Sequence, residues 1–190
     1  DVEDQRGPFT LFEQDVTPQH RQPRLFLRGD DVEHDARFLA HAFDEAFAIG
    51  GAAAGLRRNR AGEMDVAPAQ FLRADMEGGQ RAVAQVVLNR VAHPAYPDTV
   101  CGVVYQGSQR RTGCQFTFTC DGSLGRKPSA TYWARALSVA RRALSGEVYA
   151  PVGLATHYHT TWVNPYWAPS LAHIGTIGAH RFYRWPGAAS

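Results

Sequence analysis

Acidic side chains that could transfer a proton are few beyond residue 75, where the chain is densest in apolar residues. They are Glu77, Asp98, Asp121 and Glu147. Enzymes that cleave glycosidic bonds usually place two carboxyl groups about 5 to 9 Å apart around the scissile bond. Asp98 and Asp121 stand in turn-like stretches, whereas Glu77 opens a predicted helix whose N-terminal dipole stabilises its anion. A lone Glu there is more often a helix-end charge than a catalyst.

Two imidazoles stand two residues apart in the stretch THYHTTWVNPYW. Side chains alternate between the faces of a strand, so His157 and His159 point to the same side and could bind a metal. Neither acids nor further histidines lie close by in the sequence to complete a coordination shell. Paired structural histidines are therefore favoured over a metal site, and no metal or other cofactor is expected.

The same stretch is rich in aromatic rings. Such rings suit a carbohydrate groove, because they stack on sugar faces while amides hydrogen-bond to the hydroxyls. The residues concerned are Tyr158, Trp162, Asn164, Tyr166 and Trp167. Alternation puts some of these rings on each face of a strand, so filling the core is an equally good interpretation.

Other site classes lack their sequence signatures. A GxSxG nucleophile motif, a glycine-rich phosphate loop and CxxC pairs are all absent, which argues against a serine hydrolase, a nucleotide site and structural zinc. No run approaches the roughly 20 apolar residues of a membrane span, so no integral membrane segment is expected. The chain starts at Asp1 without a basic-then-apolar leader, which indicates a mature or trimmed form.

The net charge of +2 hides an asymmetry. Fourteen of the eighteen acids precede residue 76, and eleven of the twenty basic residues follow residue 75. A basic C-terminal part favours a polyanion such as a cell-wall polymer or nucleic acid, although a solvated arginine-rich surface explains it equally well. No RNA-binding or helix-turn-helix pattern appears, so a nucleic-acid partner is not expected.

Three cysteines, Cys101, Cys114 and Cys120, lie within 20 residues of one another. A disulfide in an oxidising compartment is plausible, and the odd number leaves one thiol without a partner.

Residues 1–70 read as an N-terminal extension. Residues 7–31 have the polar, proline-containing composition of an extended arm. The stretch DARFLAHAFDEAFAIG has apolar residues at helical spacing, and this one amphipathic helix could pack on the core or dock a protein partner. GGAAAGLRRNRAGEMDVAPAQ then reads as a linker.

Residues 71–190 have the denser pattern of a folded domain. Helices are predicted from Gly79 to Val91 and from Ser129, which can cap the helix, to Gly146. AYPDTVCGVVYQ reads as a proline turn and a short apolar run, and CQFTFTCDG alternates like a strand. THYHT and IGAHRFYRW are also strand-like. The order helix, short strands, helix, short strands indicates an α+β domain with helices dominating the core.

Several long motifs in this domain, in the same order, resemble the cell wall hydrolases of the spore-cortex-lytic (SleB-type) family. They are GQRAVAQVVLNRVAHPAYPDTVCGVVYQGS, CQFTFTCDGS, ATHYHTTWVNPYW and IGAHRFYRW. The versions in Gram-negative alphaproteobacteria are especially similar. The resemblance covers residues 76–185 and implies a lysozyme-like, mainly helical α+β domain with short β hairpins.

The resemblance also implies an exported enzyme of the periplasm or cell envelope that cleaves peptidoglycan glycan strands at the muramic acid linkage. Its expected route is lytic transglycosylation, in which one Glu protonates the leaving oxygen and the muramic 6-hydroxyl closes an anhydro ring. By similarity, Asn89 and Arg90 support the domain beneath the groove. The substrate-binding residues implied are Gln115, Phe116, His157, Tyr158, His159, Asn164 and Trp167.

The acid of this family is missing from its expected place. Family members carry a helix before the GQRAV motif that ends in a sequence like E-A-R-G-E, whose first Glu is the acid. Aligned without a gap, that Glu falls on Phe71, which cannot donate a proton. The sequence therefore predicts that a helix is missing between Asp75 and Met76, and that Glu77 is at best a weak catalytic substitute.

The leading hypothesis is a peptidoglycan glycan-strand hydrolase or lytic transglycosylase. The alternatives are a catalytically inactive peptidoglycan-binding module and a metal-dependent hydrolase that uses His157 and His159.

Overall fold

Helix α2, Ala69–Val91, is the central element of the computed structural model, which describes residues 32–42, 56–58, 64–66, 69–110, 114–122 and 129–187. Val83 and Val87 pack into one core cluster, whereas Ala82 and Val86 pack into a second. A helix that buries apolar side chains on opposite sides is a central helix rather than a surface one. The predicted helix over Gly79 to Val91 is confirmed and begins earlier, at Ala69.

Residues 32–42 form helix α1, which packs into the core cluster that contains Val83 and Val87. Leu39 is completely buried there. The ring of Phe38 meets Tyr105 edge-on at a centroid distance of 5.5 Å. Arg141 donates two hydrogen bonds of 3.0 Å to Glu33. Of the two roles predicted for the amphipathic helix, its described residues show packing on the core.

Two short strands, β1 at Leu56–Arg58 and β2 at Met64–Val66, pair antiparallel within the stretch predicted to be a linker. The linker prediction is wrong at these residues, because the ladder satisfies backbone groups that a linker would leave to water. The predicted extended arm, residues 7–31, lies outside the described residues.

The segment predicted as a short apolar run and the one predicted as a strand are both helical. Val100–Val104 forms the short helix α3, which Thr99 caps by accepting a 3.1 Å hydrogen bond from the main-chain N of Gly102. Thr117–Thr119 forms a single 3-10 turn inside a loop closed by a disulfide between Cys114 and Cys120. The apolar residues alternate in CQFTFTC because two core rings, Phe116 and Phe118, lie two residues apart on a tight loop. Cys101 is the cysteine outside the disulfide.

Helix α4, Ala130–Leu144, forms as the sequence predicts. The Ser129 side chain accepts a hydrogen bond from the main-chain N of Tyr132 at 3.4 Å. Gly146 follows the helix with a φ of +99°, a conformation that favours glycine. The sequence has an apolar stripe at helical spacing here, formed by Trp133, Leu137, Ala140 and Leu144. Ala140 and Leu144 are buried, and the other two pack against the core.

Three strands form a small sheet: β3 at His157–Thr160, β4 at Ala172–Ile177 and β5 at His180–Arg184. β5 lies in the middle and pairs antiparallel with both neighbours. Phe182 of β5 is completely buried and packs against Ala82 and Val86 of α2. The predicted α+β class is thus confirmed. No helix in the described part of the chain combines the length and apolarity needed to cross a bilayer.

Candidate functional site

Strand β3 divides its side chains between the core and the opposite face of the sheet. Tyr158 lies on the core side, among three rings at centroid distances of 6.3, 5.5 and 5.8 Å: Phe116, His180 and Phe182. Burial raises the pKa of Tyr158 to about 12. Its hydroxyl therefore stays neutral at physiological pH.

The opposite face carries six rings that we call the aromatic–imidazole cluster: His157, His159, Trp167, His173, Tyr183 and Trp185. Trp167 is central, with its ring centroid 5.3 Å from His157, 5.6 Å from His159 and 5.7 Å from Tyr183. Trp185 meets His157 edge-on at 5.2 Å. Trp185 is exposed and Trp167 is half-buried. Rings partly open to solvent offer faces on which a sugar can stack.

The two β3 histidines share a face, as their spacing predicts, but the protein itself occupies most of their nitrogens. His159 Nδ1 lies 2.8 Å from the Thr160 carbonyl oxygen, and its Nε2 lies 2.8 Å from the Tyr183 hydroxyl. Since a carbonyl only accepts, Nδ1 donates to Thr160, and Nε2 is hydrogen-bonded to the Tyr183 hydroxyl. Over the described ranges, no three His, Cys, Asp or Glu side chains come together as metal ligands would. Structural histidines therefore explain the pair better than a metal site does.

His157 is the more open of the two histidines. Burial, and then the positive charges of Arg90 and His93, lower the pKa of His157 to about 4. The imidazole is therefore neutral at pH 7. Tyr96 lies beside it, at a centroid distance of 6.4 Å. The Arg90 guanidinium lies over the Tyr96 ring at 5.3 Å, so the cluster continues toward Arg90.

Polar side chains in the C-terminal half of α2 hold the segment that leads into β3. Asn89 Nδ2 donates to the carbonyl oxygens of Gly153 and Ala155, both at 2.8 Å. Gln85 donates to Asn89 Oδ1 at 2.9 Å and accepts from the main-chain N of Tyr149 at 2.9 Å. These bonds satisfy irregular backbone that has no strand partner, and they fix where β3 begins.

Arg90 brings the start of β3 to the disulfide-closed loop. Its Nε donates to the carbonyl oxygen of Thr156 at 2.6 Å, and its Nη1 donates to Gln115 Oε1 at 2.7 Å. The side chain is only 4% exposed, and burial lowers its pKa. Both partners are neutral oxygens, so the guanidinium is held in place without an ion pair at either bond.

The predicted Gln115–Phe116 pair separates in the structure. Gln115 is exposed, and its main-chain N donates to the Gln106 carbonyl oxygen at 3.1 Å. Phe116 is 4% exposed and belongs to the core. Neighbouring side chains on this tight loop point in different directions. Phe116 therefore anchors the loop from inside instead of lining a cleft.

The prediction that Glu77 opens a helix is wrong, because α2 begins eight residues earlier, at Ala69. Glu77 is instead paired with helix α4. Its Oε1 lies 2.6 Å from Arg142 Nη2, and both side chains are 44% exposed. Arg142 also contacts Glu147 at 3.3 Å, and Glu147 contacts Arg81 at 2.7 Å. Glu77 is thus the end of a row of alternating charges between α2 and α4. The guanidinium thus occupies one of the two carboxylate oxygens of Glu77.

Helix α2 is continuous at the place where the family's acid is expected. Asp75 and Met76 are consecutive residues within it, and Phe71 lies near its start. The side chain of Phe71 lies outside the described residues. The loss of a family helix at this point stays a prediction.

Asn164 lies in an exposed loop that adjoins the cluster. Its neighbours Trp162 and Tyr166 are 55% and 96% exposed, and no charged side chain occurs from Thr160 to Leu171. The sequence interpretation did not assign Tyr96 or His173 to the site. The ring of His173 is tilted against that of Tyr183, its register partner in β5, at a centroid distance of 5.1 Å. A strand prediction for residues 172–177 would have revealed this contact. The position of Tyr96 depends on tertiary contacts alone.

Known proteins resemble this chain over the same region. A family model described as Cell Wall Hydrolase matches residues 74–183. The spore cortex-lytic enzyme of Halalkalibacterium halodurans is 35% identical over 105 residues, which are 55% of this chain and 28% of that enzyme. The enzyme of that name from Bacillus cereus is 32% identical over 105 residues, or 36% of its length. The chain thus spans about a third of these relatives.

Two solved structures share the fold. The catalytic domain of the germination-specific lytic transglycosylase SleB from Bacillus anthracis has a TM-score of 0.53 at 24% identity, covering 83% of this chain and all of that domain. The catalytic domain of Bacillus cereus SleB has a TM-score of 0.50 at 25% identity, covering 80% of this chain and 91% of that domain. The family match extends over more than half of the residues, and the chain therefore belongs to the cell wall hydrolase family.

Proposed function

We propose that this chain cleaves the glycan strands of peptidoglycan in the cell envelope, as a lytic transglycosylase acting at the muramic acid linkage. The observation that carries the proposal is that β3 and β5, both within the family-matched region, build the partly exposed aromatic–imidazole cluster. Its imidazoles include His157, which is neutral at pH 7 because its pKa is about 4. Neutral flat surfaces suit sugar rings. Exported location in the envelope follows from this substrate.

Lytic transglycosylation needs one acid/base group, which suits a region with few carboxylates. That group donates a proton to the leaving glycosidic oxygen as the C1–O bond breaks, and it later accepts the proton of the muramic 6-hydroxyl as that oxygen bonds to C1. The products are a shortened strand with a 1,6-anhydro end and a free 4-hydroxyl, and no water is consumed. Three described carboxylates bind arginines instead of the cluster: Glu33, Glu77 and Glu147. We therefore assign the proton donor to none of these three.

The second candidate function is a peptidoglycan-binding module without catalytic activity. It is favoured by the pairing of Glu77 with Arg142 and by Phe71, which stands where the family acid is expected. In such a module the cluster would grip the strand and leave it uncut. A docking partner for α1 has less support, since four apolar residues of α1 are buried in the core, Ala36, Leu39, Ala40 and Ala42, and Val32 and Phe38 pack against it.

The deciding experiment incubates the purified chain with peptidoglycan sacculi and analyses the soluble products by mass spectrometry. Anhydro-muramyl ends are expected, at an amount reduced at least about tenfold in Trp167→Ala, because the central stacking face is removed. Hydrolysed reducing ends would indicate water as the acceptor. Co-sedimentation with sacculi without any product would establish the binding module.

A chelator arm tests the metal-dependent alternative. Both nitrogens of His159 are engaged, so treatment with EDTA should leave product formation unchanged. Activity that disappears with EDTA and returns with a divalent cation would favour a metal-dependent hydrolase over the proposal.

A further inference from the structure

Gln115 has an amide whose two ends differ in hydrogen-bonding character, and Arg90 fixes which end faces outward. Arg90 Nη1 lies 2.7 Å from Gln115 Oε1. A guanidinium has only donors, so it selects the carbonyl end of the amide and rejects the NH2 end. The Nε2 group of Gln115, with two N–H donors, is therefore the end presented to solvent.

Arg90 cannot readily turn away from this contact. It is 4% exposed, and its Nε is held by the Thr156 carbonyl oxygen at 2.6 Å. The backbone of Gln115 is fixed as well. Its main-chain N bonds to Gln106, the next residue is the buried Phe116, and the disulfide from Cys114 closes the loop. Both partners of the Arg90–Gln115 bond are thus pre-positioned.

The amide donor lies at the end of the aromatic–imidazole cluster. Arg90 stands over Tyr96, and Tyr96 adjoins His157. A sugar stacked on the cluster would therefore extend substituents toward a fixed, outward N–H donor backed by a positive charge. Such a corner attracts a hydrogen-bond acceptor and repels a cation.

We propose that Gln115 is a specificity-determining residue that binds the carbonyl oxygen of an acetamido group on an amino sugar, and that Arg90 is its positioning residue. This inference rests on the proposed function. An N-acetylated sugar offers a strong neutral acceptor, whereas the de-N-acetylated sugar offers an ammonium group that only donates. A site built to hydrogen-bond one partner discriminates strongly against an analogue that lacks it.

The test compares two soluble ligands: a chito-oligosaccharide of N-acetylglucosamine and the same oligomer after complete de-N-acetylation. Binding is measured by calorimetry at pH 6, where the amines are charged. The wild-type chain should bind the acetylated oligomer at least about tenfold more tightly. Gln115→Glu keeps an acceptor for Arg90 but loses both N–H donors, so the preference should vanish or reverse, while the unfolding midpoint should not fall.

Gln109→Glu is the matched control, because Gln109 is an exposed glutamine on the preceding segment. It introduces the same charge change and should keep the preference for the acetylated oligomer. If Gln115→Glu does not fold, Gln115→Met provides the same test without a charge, and it should reduce the preference without reversing it.

The outcomes separate the inference from the function on which it rests. Equal wild-type affinity for the two oligomers, or a Gln115→Glu protein that keeps the wild-type preference, overturns the inference and leaves the proposed function intact. A wild-type chain that binds neither oligomer nor peptidoglycan overturns the proposed function and the inference with it.

Discussion

Two stretches of helix α2 use polar side chains in opposite ways. At the C-terminal end, Asn89 and Arg90 bond to main-chain carbonyls and a neutral amide, at distances of 2.6 to 2.8 Å. Nearer the middle of the helix, Glu77 and Arg81 form salt bridges with half-exposed side chains of the α4 region. A buried group deprived of its partner costs about 1–3 kcal/mol, whereas an exposed ion pair contributes about 0–1 kcal/mol. The hydrogen bonds of Asn89 and Arg90 should therefore position the site, whereas the salt bridges of Glu77 and Arg81 should contribute little to stability.

The largest effect should come from Arg90→Met, which keeps an unbranched side chain as far as the position of Nε and removes the guanidinium. Two acceptors lose their donors, the Thr156 carbonyl and Gln115 Oε1. The free energy of unfolding should fall by about 3 kcal/mol, and the preference for N-acetylated oligomers should fall with it. Urea denaturation and the calorimetric comparison measure the two effects.

The matched control for this variant is Arg142→Met in α4. Arg142 is 44% exposed and pairs with Glu77 and Glu147. The variant should lose less than about 1 kcal/mol in the free energy of unfolding. Equal losses for the two arginine variants would contradict the distinction between the two stretches of α2.

We expect acid to lower the free energy of unfolding through the buried His180. Burial, followed by the charge of His159, lowers the pKa of His180 to about 4 from the ordinary 6.5. Between these values the unfolded chain binds a proton that the folded chain does not, so stability falls as the pH drops from 6.5 to 4. The slope from one such histidine is at most about 1.4 kcal/mol per pH unit.

Thermal unfolding measured from pH 7 to pH 4 checks this sign. The variant His180→Asn should show a shallower loss of midpoint over that window than the wild type. His34→Asn, which changes an exposed histidine of α1, should leave the profile unchanged. A wild-type midpoint that is constant or rises toward pH 4 would contradict the prediction.

Local sequence signals predict the elements in which buried side chains recur at a single helical or strand spacing. The Ser129 cap and the stripe ending in Leu144 predict α4, and alternation predicts that His157 and His159 share a face of β3. The strand predicted in CQFTFTC is wrong for a physical reason. Two phenylalanines two residues apart fit a half-buried strand and a disulfide-closed turn equally well, and the Cys114–Cys120 bond selects the turn.

The arrangement of the site was less predictable, because it depends on contacts distant in sequence. Arg90 reaches Gln115 across 25 residues and Thr156 across 66. No periodicity encodes either contact. The family resemblance identified Gln115 as a groove residue, yet only the structure shows that its amide oxygen accepts a hydrogen bond from Arg90. In the same way, the sequence indicates that Glu77 is at best a weak catalytic substitute, but it does not show that Arg142 binds the Glu77 carboxylate.

The smallest effect should come from Glu77→Gln. This substitution tests whether Glu77 is only a surface ion-pair partner or the proton donor. The substitution keeps the shape and weakens an ion pair that is 44% exposed on both sides, so stability should change by less than about 1 kcal/mol. The yield of peptidoglycan products should stay close to that of the wild type, because general acid catalysis is not expected from a carboxylate bound to Arg142. Removal of a true general acid typically reduces the rate by about 10²–10⁴-fold. A loss of that size in Glu77→Gln, with Glu147→Gln unaffected, would identify Glu77 as the proton donor. The stretch of α2 that forms salt bridges would then be the catalytic one.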